Sequence, residues 1–310
     1  MGDERRSSAK DASGKLGAVA IGRNEGERLQ RCLLSLRGRA DRIVYVDSGS
    51  TDGSVAFAIG LGIDVVELDP KIPFTAARAR NEGFERLVQR EEGLEYVQFV
   101  DGDCEVVDGW MERARRALDE DPDVAATFGR RRERYPEKTL YNTLCDIEWD
   151  TPVGETKSCG GDAMMRVVAF EQAGRFDPTL IAGEEPELCC RFRLRDWTIV
   201  CIDAEMTLHD AAMTRFGQFW RRAVRAGHAY AEGAWMHGAG PLRHNVRDCV
   251  SIIAWTVLLP WVAFGLAWPS GGWSLLLLLG SAVPVVRYAR TVRARGRSTR
   301  HAWLYSLVCF

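Results

Sequence analysis

From Leu16 onward, short apolar runs alternate with segments whose apolar residues recur every three to four positions. LGAVAIG (16–22) is a short apolar strand, and Asn24 is placed to cap a helix that carries Leu29, Leu33, Leu34 and Leu36. RIVYV is a second strand ending at Asp47, and the turn Gly49-Ser50-Thr51-Asp52-Gly53 opens another helix. IDVVEL is a third strand. A helix after Pro73 carries Ala76, Ala77, Ala79, Phe84 and Leu87, and EYVQFV is a fourth strand ending at Asp101. This alternation predicts an α/β fold with a mainly parallel, doubly wound sheet. Ligands of such sheets sit outside the carboxyl ends of the strands. Three of the four predicted strand ends carry polar clusters there: Arg23-Asn24-Glu25, Asp47-Ser48-Gly49-Ser50 and Asp101-Gly102-Asp103.

The pattern then loses regularity until a helix at about 214–230. Phe216, Phe219, Trp220, Ala223, Val224 and Gly227 fall on one face, with Gln218, Arg221, Arg222 and Arg225 on the adjoining one. Such a basic amphipathic helix suits a membrane interface, and it equally suits a cap on a domain core. Residues 250–268 hold no charged side chain. As a helix they span about 28 Å, one hydrocarbon core, with a kink expected at Pro260. A second apolar run covers 272–286, and a third begins at His301. Between these two lie arginines at 287, 290, 293, 295, 297 and 300 with no acid among them. A transmembrane hairpin flanked by arginines puts the preceding domain on the cytoplasmic side of the cell (inner) membrane. The expected organisation is therefore a polar tail (1–15), an α/β domain (16–235) and a membrane-associated helical region (236–310).

Composition adds two exclusions. A net charge of −2 over 310 residues gives no electrostatic footprint for nucleic acid. The nine cysteines form no CxxC pair, so neither a zinc site nor a disulfide framework is expected, and reduced thiols fit a cytosol-facing domain. The first fifteen residues lack the apolar core of a secretory signal and read as a disordered tail.

Asp101 and Asp103 place two carboxylates one residue apart on a glycine turn. Oxygen ligands of this kind suit Mg²⁺ or Mn²⁺ bridging phosphates. Together with AVAIGRNEGERL, VDSGSTDGS, ARARNEG, GGDAMMR and AGEEPELCCR, the segment FVDGDCEV resembles the family-2 inverting glycosyltransferases of GT-A fold over about residues 16–230. The resemblance implies a nucleotide-sugar donor, UDP-linked, and a lipid-linked or cell-surface glycan acceptor. It places Arg23, Asn24, Glu25, Asp47, Arg80, Asn81 and Asp101 at the donor nucleotide, and Gly161, Asp162 and Glu184 at the acceptor or donor sugar. Glu185, where the family usually has aspartate, becomes the general base, and His209 joins Asp101 and Asp103 at the metal. Gln218, Arg221 and Arg222 partly resemble a diphosphate-contacting QxxRW motif. Its tryptophan is replaced by Arg222, which argues against processive synthesis. A polyprenyl-phosphate sugar synthase and a catalytically inactive membrane scaffold of the same fold are the alternatives. A pyrophosphorylase ranks lower because the loop after the first strand, Arg23-Asn24-Glu25-Gly26, has one glycine.

Overall fold

A computed structural model describes residues 14–309. The polar tail expected at 1–15 lies outside the described residues except for Gly14 and Lys15, and Lys15 opens the first strand. The chain divides into two compact units, one holding 1–134 and 151–210, the other 135–150 and 211–310. The division falls at Asp210, and the second unit includes the internal segment 135–150.

In the first unit the order is β1 (Lys15–Gly22), α1 (Glu27–Leu36), β2 (Arg42–Asp47), α2 (Ser54–Gly60), β3 (Asp64–Glu67), α3 (Ala76–Arg90), β4 (Leu94–Asp101), β5 (Cys104–Val106), α4 (Trp110–Glu120) and β6 (Val124–Glu133). After α5 (Leu140–Glu148), which belongs to the second unit, come β7 (Gly154–Glu155), β8 (Ala163–Arg166), α6 (Val167–Gln172), α7 (Glu184–Arg193) and β9 (Thr198–His209). The sheet runs β3-β2-β1-β4-β8-β6-β9-β5, with β7 on β9. Strands β1 to β4 pair in parallel, as the alternation predicts. The other half is mixed: β8 is antiparallel to both β4 and β6, and β5 is antiparallel to β9. Helix-linked alternation reveals parallel neighbours only, so this half was invisible to it.

The core is the apolar set of the predicted strands, with Val19, Val44, Val46, Val97 and Phe99 fully buried. Phe84, Phe99, Phe170 and Phe176 form an aromatic cluster with centroid separations of 5.0–5.3 Å, mostly edge-to-face, the favourable geometry for ring quadrupoles. On α1, Leu29, Leu33 and Leu36 turn inward while Leu34 is 51% exposed. The N-cap of α1 is Gly26, not Asn24. Asn24 has φ 54°, a left-handed conformation that asparagine tolerates, and its Oδ1 accepts from the Thr51 N–H at 2.8 Å while its own N–H donates to Ser50 Oγ at 2.8 Å. It fastens the loop after β1 to the turn after β2.

The second unit holds α5, α8 (Phe216–His237), α9 (Val246–Ile253), a π-helical turn (Ala254–Leu258), α10 (Leu259–Gly265), a 3-10 stretch (Trp273–Ser281), α11 (Ala282–Ala294) and α12 (Thr299–Cys309). The kink expected at Pro260 is met by the π turn just before it, which reroutes the ladder that proline cannot join. Two continuous stretches, Val246–Gly265 and Trp273–Ala294, are long and apolar enough to cross a membrane. The second extends past residue 286 and takes in Arg287, Arg290 and Arg293. Not all the arginines are solvated. Arg297 pairs with Asp146 at 2.9 Å and Asp150 at 3.4 Å, and Arg295 donates to the Asp150 carbonyl. In α8 only Gly233 is buried.

Candidate active site

Strand register assembles the site. Ile21 of β1 lies beside Asp101, the last residue of β4, and Phe99 lies opposite Ala163 of β8, which brings the preceding Asp162 to the end of β4. On β9, Thr207 sits between Val106 of β5 and Arg131 of β6, and His209 sits between Cys104 and Glu133. Asp101 and Asp103 flank Gly102, whose N–H donates to the Ile21 carbonyl at 2.7 Å. A Cβ there would lie 2.9 Å from that same oxygen, so the turn between the two aspartates requires glycine.

Two helices bring the remaining charges. Thr75 caps α3, its hydroxyl accepting from the Arg78 N–H, and Arg80 follows in the early turns. Gly183, at φ 81°, opens α7, whose first turn carries Glu184, Glu185 and Glu187, where the helix dipole favours acids. Arg80 is 2% exposed and bridges three carboxylates: its Nη1 is 2.8 Å from Glu184 and 2.9 Å from Glu185, and its Nη2 is 2.8 Å from Asp101. It thereby ties the aspartate of the β4 end to the glutamates of α7. Gly161 sits against this cluster. A Cβ on it would meet Arg80 Nη2 at 2.4 Å, Asp101 Oδ2 at 3.0 Å and Glu185 Oε1 at 3.1 Å. Its lack of a side chain makes room for the charges.

Electrostatics separate these acids. Burial and then the neighbouring Glu184 push Glu185 up to about 7, against the pull of Arg80. Glu25, beside Arg28 at 2.7 Å, is likewise pushed up to about 7, by burial and then by Asp103. Asp103 goes the other way. Burial opposes its charge, but the hydrogen bond and charge of His209, whose Nε2 is 3.2 Å from Asp103 Oδ2, hold it at about 2. His209 is raised to about 9 despite its burial, by Asp103 first and then by the buried Glu133, 3.8 Å from Nδ1.

A model of glycosyl transferase family 2 matches residues 19–172. The chain carries a family 2 glycosyl transferase domain. In fold it is similar to the mannosyltransferase PcManGT from Pyrobaculum calidifontis, solved in complex with GDP-Man and Mn²⁺, at TM-score 0.61 and 18% identity over 96% of this chain and 87% of that one. It is also similar to S. aureus TarS residues 1–349, at TM-score 0.53 and 16% identity over 95% and 90% of the two chains. GalNAc-T7 with UDP, GalNAc and Mn²⁺ aligns at TM-score 0.50 and 16% identity, over 64% of this chain and 44% of that one. A TPR repeat-containing protein of Synechococcus elongatus is 28% identical over 142 residues, 46% of this chain and 33% of its own length. The fold is thus GT-A, and it carries the family 2 domain.

Arg80 and Arg131 join Asp101, Asp162, Glu184 and Glu185 through direct pairs, Gly161 packs against Arg80, Asp103 pairs with His209, and Glu25 pairs with Arg28. Several others are committed elsewhere. Asp47 is 1% exposed. Its Oδ1 accepts from the Tyr45 hydroxyl at 2.8 Å, and its Oδ2 accepts from the N–H groups of Gly49 at 2.8 Å and Ser50 at 2.7 Å. A carboxylate at a strand end is the natural acceptor for a turn's N–H groups, and here it serves the turn. Asn81 is held by a backbone: its amide donates to the Phe176 carbonyl at 2.8 Å and accepts the Phe176 N–H at 3.2 Å, because an amide matches a peptide's donor and acceptor. Arg23 is exposed and lies over the Phe74 ring. Gln218 accepts from the N–H groups of Thr214 and Arg215, both at 2.9 Å, as the N-terminal cap of α8. Arg222 makes a two-pronged pair with Glu148 at 2.7 and 2.8 Å, and Arg221 is exposed on the same helix. All three belong to the second unit.

Sequence reasoning missed Arg131, Glu133 and Thr207. Arg131 and Glu133 are two apart on β6 and so share a face, a period-2 signal hidden inside the run Arg130-Arg131-Arg132. Only register shows that they flank Thr207 and His209.

Proposed function

We propose that the enzyme transfers a sugar from a nucleotide-diphosphate donor, UDP-linked, to a hydroxyl of a lipid-linked or cell-surface glycan, with inversion and without processive synthesis. One observation carries this reading: Arg80 holds Glu185 and Asp101 on a single guanidinium, so a general-base candidate and the aspartate turn share one site. In the reaction Glu185 takes the proton of the acceptor hydroxyl. The oxygen attacks the anomeric carbon from the face opposite the leaving group, the bond to the diphosphate breaks, and its electron pair departs with the nucleoside diphosphate. A base raised to about 7 matches proton abstraction at neutral pH.

The residues present fit a divalent cation. Asp103, Cys104 and His209 have ligand atoms within 4.8 Å of one another, as do Asp101, Cys104 and Asp162. Burial drives the Cys104 thiol well above its usual range and keeps it protonated, which leaves the hard carboxylates and the imidazole as ligands, the set Mg²⁺ or Mn²⁺ takes. His209 must give up the proton it shares with Asp103 to join them. When bound, the cation would offset the charge on the departing diphosphate. The Mn²⁺ in the PcManGT and GalNAc-T7 structures supports this assignment. Those two structures hold GDP-Man and UDP respectively, so competition between UDP and GDP is the direct test of the base. The exposed apolar stretches of the second unit, 6% and 17% buried, support an anchor in the inner membrane with the catalytic domain in the cytoplasm. Glu185→Gln tests the mechanism: transfer should fall by about 10²–10⁴-fold while nucleotide binding stays within about twofold. Unchanged turnover would remove Glu185 from its role.

A further inference from the structure

Asp162, expected at a sugar hydroxyl, is fully buried. Three donors converge on its carboxylate. Oδ1 accepts the backbone N–H of Asp101 at 2.9 Å, and Oδ2 accepts the Thr207 hydroxyl at 2.7 Å and Arg131 Nη2 at 2.9 Å. No side chain other than a carboxylate accepts from all three without adding a donor of its own. The same Arg131 nitrogen lies 3.3 Å from Asp101 Oδ2, so one guanidinium is shared between a buried acid and an acid that is 29% exposed at the site. Arg80 already holds the other oxygen of Asp101 at 2.8 Å. Two arginines therefore compete with any cation for Asp101, and Arg131 lies nearer to Asp162, at 2.9 Å, than to Asp101, at 3.3 Å.

We propose that Asp162 is a positioning residue of the donor site: it draws the charge of Arg131 away from Asp101 and pins the Asp101 main chain, leaving that carboxylate able to take a divalent cation. The inference rests on Asp101 and Asp103 being the cation-binding pair. Without the buried anion, the positive charge of Arg131 would shift toward Asp101, 3.3 Å away, and oppose a cation placed there. The backbone sets up this division. The pairing of Phe99 with Ala163 puts Asp162 beside the β4 end, and the pairing of Arg131 with Thr207 aims both at it.

The test measures Mn²⁺ affinity in the full chain, with UDP present, from the paramagnetic signal of unbound Mn²⁺, alongside thermal unfolding. Asp162→Asn should weaken Mn²⁺ binding about tenfold, the change expected for an unscreened positive charge near the ion. Adding Arg131→Gln to that variant removes the unbalanced charge and should return affinity to within about threefold of the wild type. A merely structural Asp162 predicts the opposite, a double variant no better than the single one. Unchanged affinity in Asp162→Asn, or no recovery in the double variant, overturns the proposal. Should the single variant not fold, the double variant decides alone, and a tenfold loss in it counts against the proposal. Wild-type protein that binds no Mn²⁺ removes the donor-site reading and this inference with it, whereas wild-type binding that the variants leave untouched removes the inference only.

Discussion

In the first unit several charges are buried in pairs, and the apolar side chains of the central strands are hidden. Arg80 is 2% exposed, Asp162 0% and Glu184 6%, each paired, within a sheet whose central valines and aromatics are also buried. In the second unit the apolar groups stay out: Trp268 is 95% exposed, Trp235 89%, Trp261 73% and Leu279 71%. A soluble domain leaves scattered apolar residues on its surface, but whole helices of them call for another apolar phase. The first unit supplies its own solvent for buried charge through guanidinium groups, backbone N–H groups and helix N-termini. The second leaves two long apolar stretches largely uncovered, which the proposed membrane anchor would cover. What makes one unit stable in water is therefore what the other lacks, and each is vulnerable to a different substitution.

The largest effect should come from the proton acceptor. Glu185→Gln should lower turnover by about 10²–10⁴-fold in a radiolabelled-sugar assay, the range for loss of a general base. Next is the hub of the buried charges. Arg80→Gln leaves Glu184, Glu185 and Asp101 without their shared cation and should cost about 3–5 kcal/mol of unfolding free energy in denaturant titration. A loss below 1 kcal/mol would mean that water, not Arg80, solvates these acids. In the second unit, Leu277→Arg puts a charge in an apolar stretch and should cost about 2.5–3.5 kcal/mol of membrane insertion, read as protein lost from the membrane fraction. Retention there with undiminished yield would break the contrast between the units.

A pH series sharpens it further. Glu185 must be deprotonated to act, so activity should rise through about pH 7 and level off above it. Its stability term has the opposite sign. With the folded value raised from 4.5 to about 7, the contribution is full below pH 4.5 and is lost as pH rises through 7. The smallest effect belongs to the loop clip: Asn24→Ala should cost about 1 kcal/mol in the same denaturant titration, the net worth of a lost side-chain hydrogen bond.

The apolar alternation by itself determined the parallel half of the sheet, because each β-α unit there repeats locally. The same local signal placed Asp101 and Asp103 at a strand end and marked the two long apolar stretches, whereas Glu185 came from the family resemblance. Roles that depend on who sits opposite were not legible. Asp47, Asn81 and Gln218 carry the right chemistry for ligand contact, yet each spends it on a nearby backbone. The three-acid hold of Arg80 joins residues 21 and 104 positions apart in the chain. The threefold acceptance by Asp162 likewise depends on antiparallel β8 and on the register of β6 with β9. Periodicity specifies which face a residue takes, whereas the pairing of distant strands specifies its neighbours, and in a low-dielectric site the neighbours decide whether a carboxylate binds a cation, takes a proton or holds another carboxylate in place.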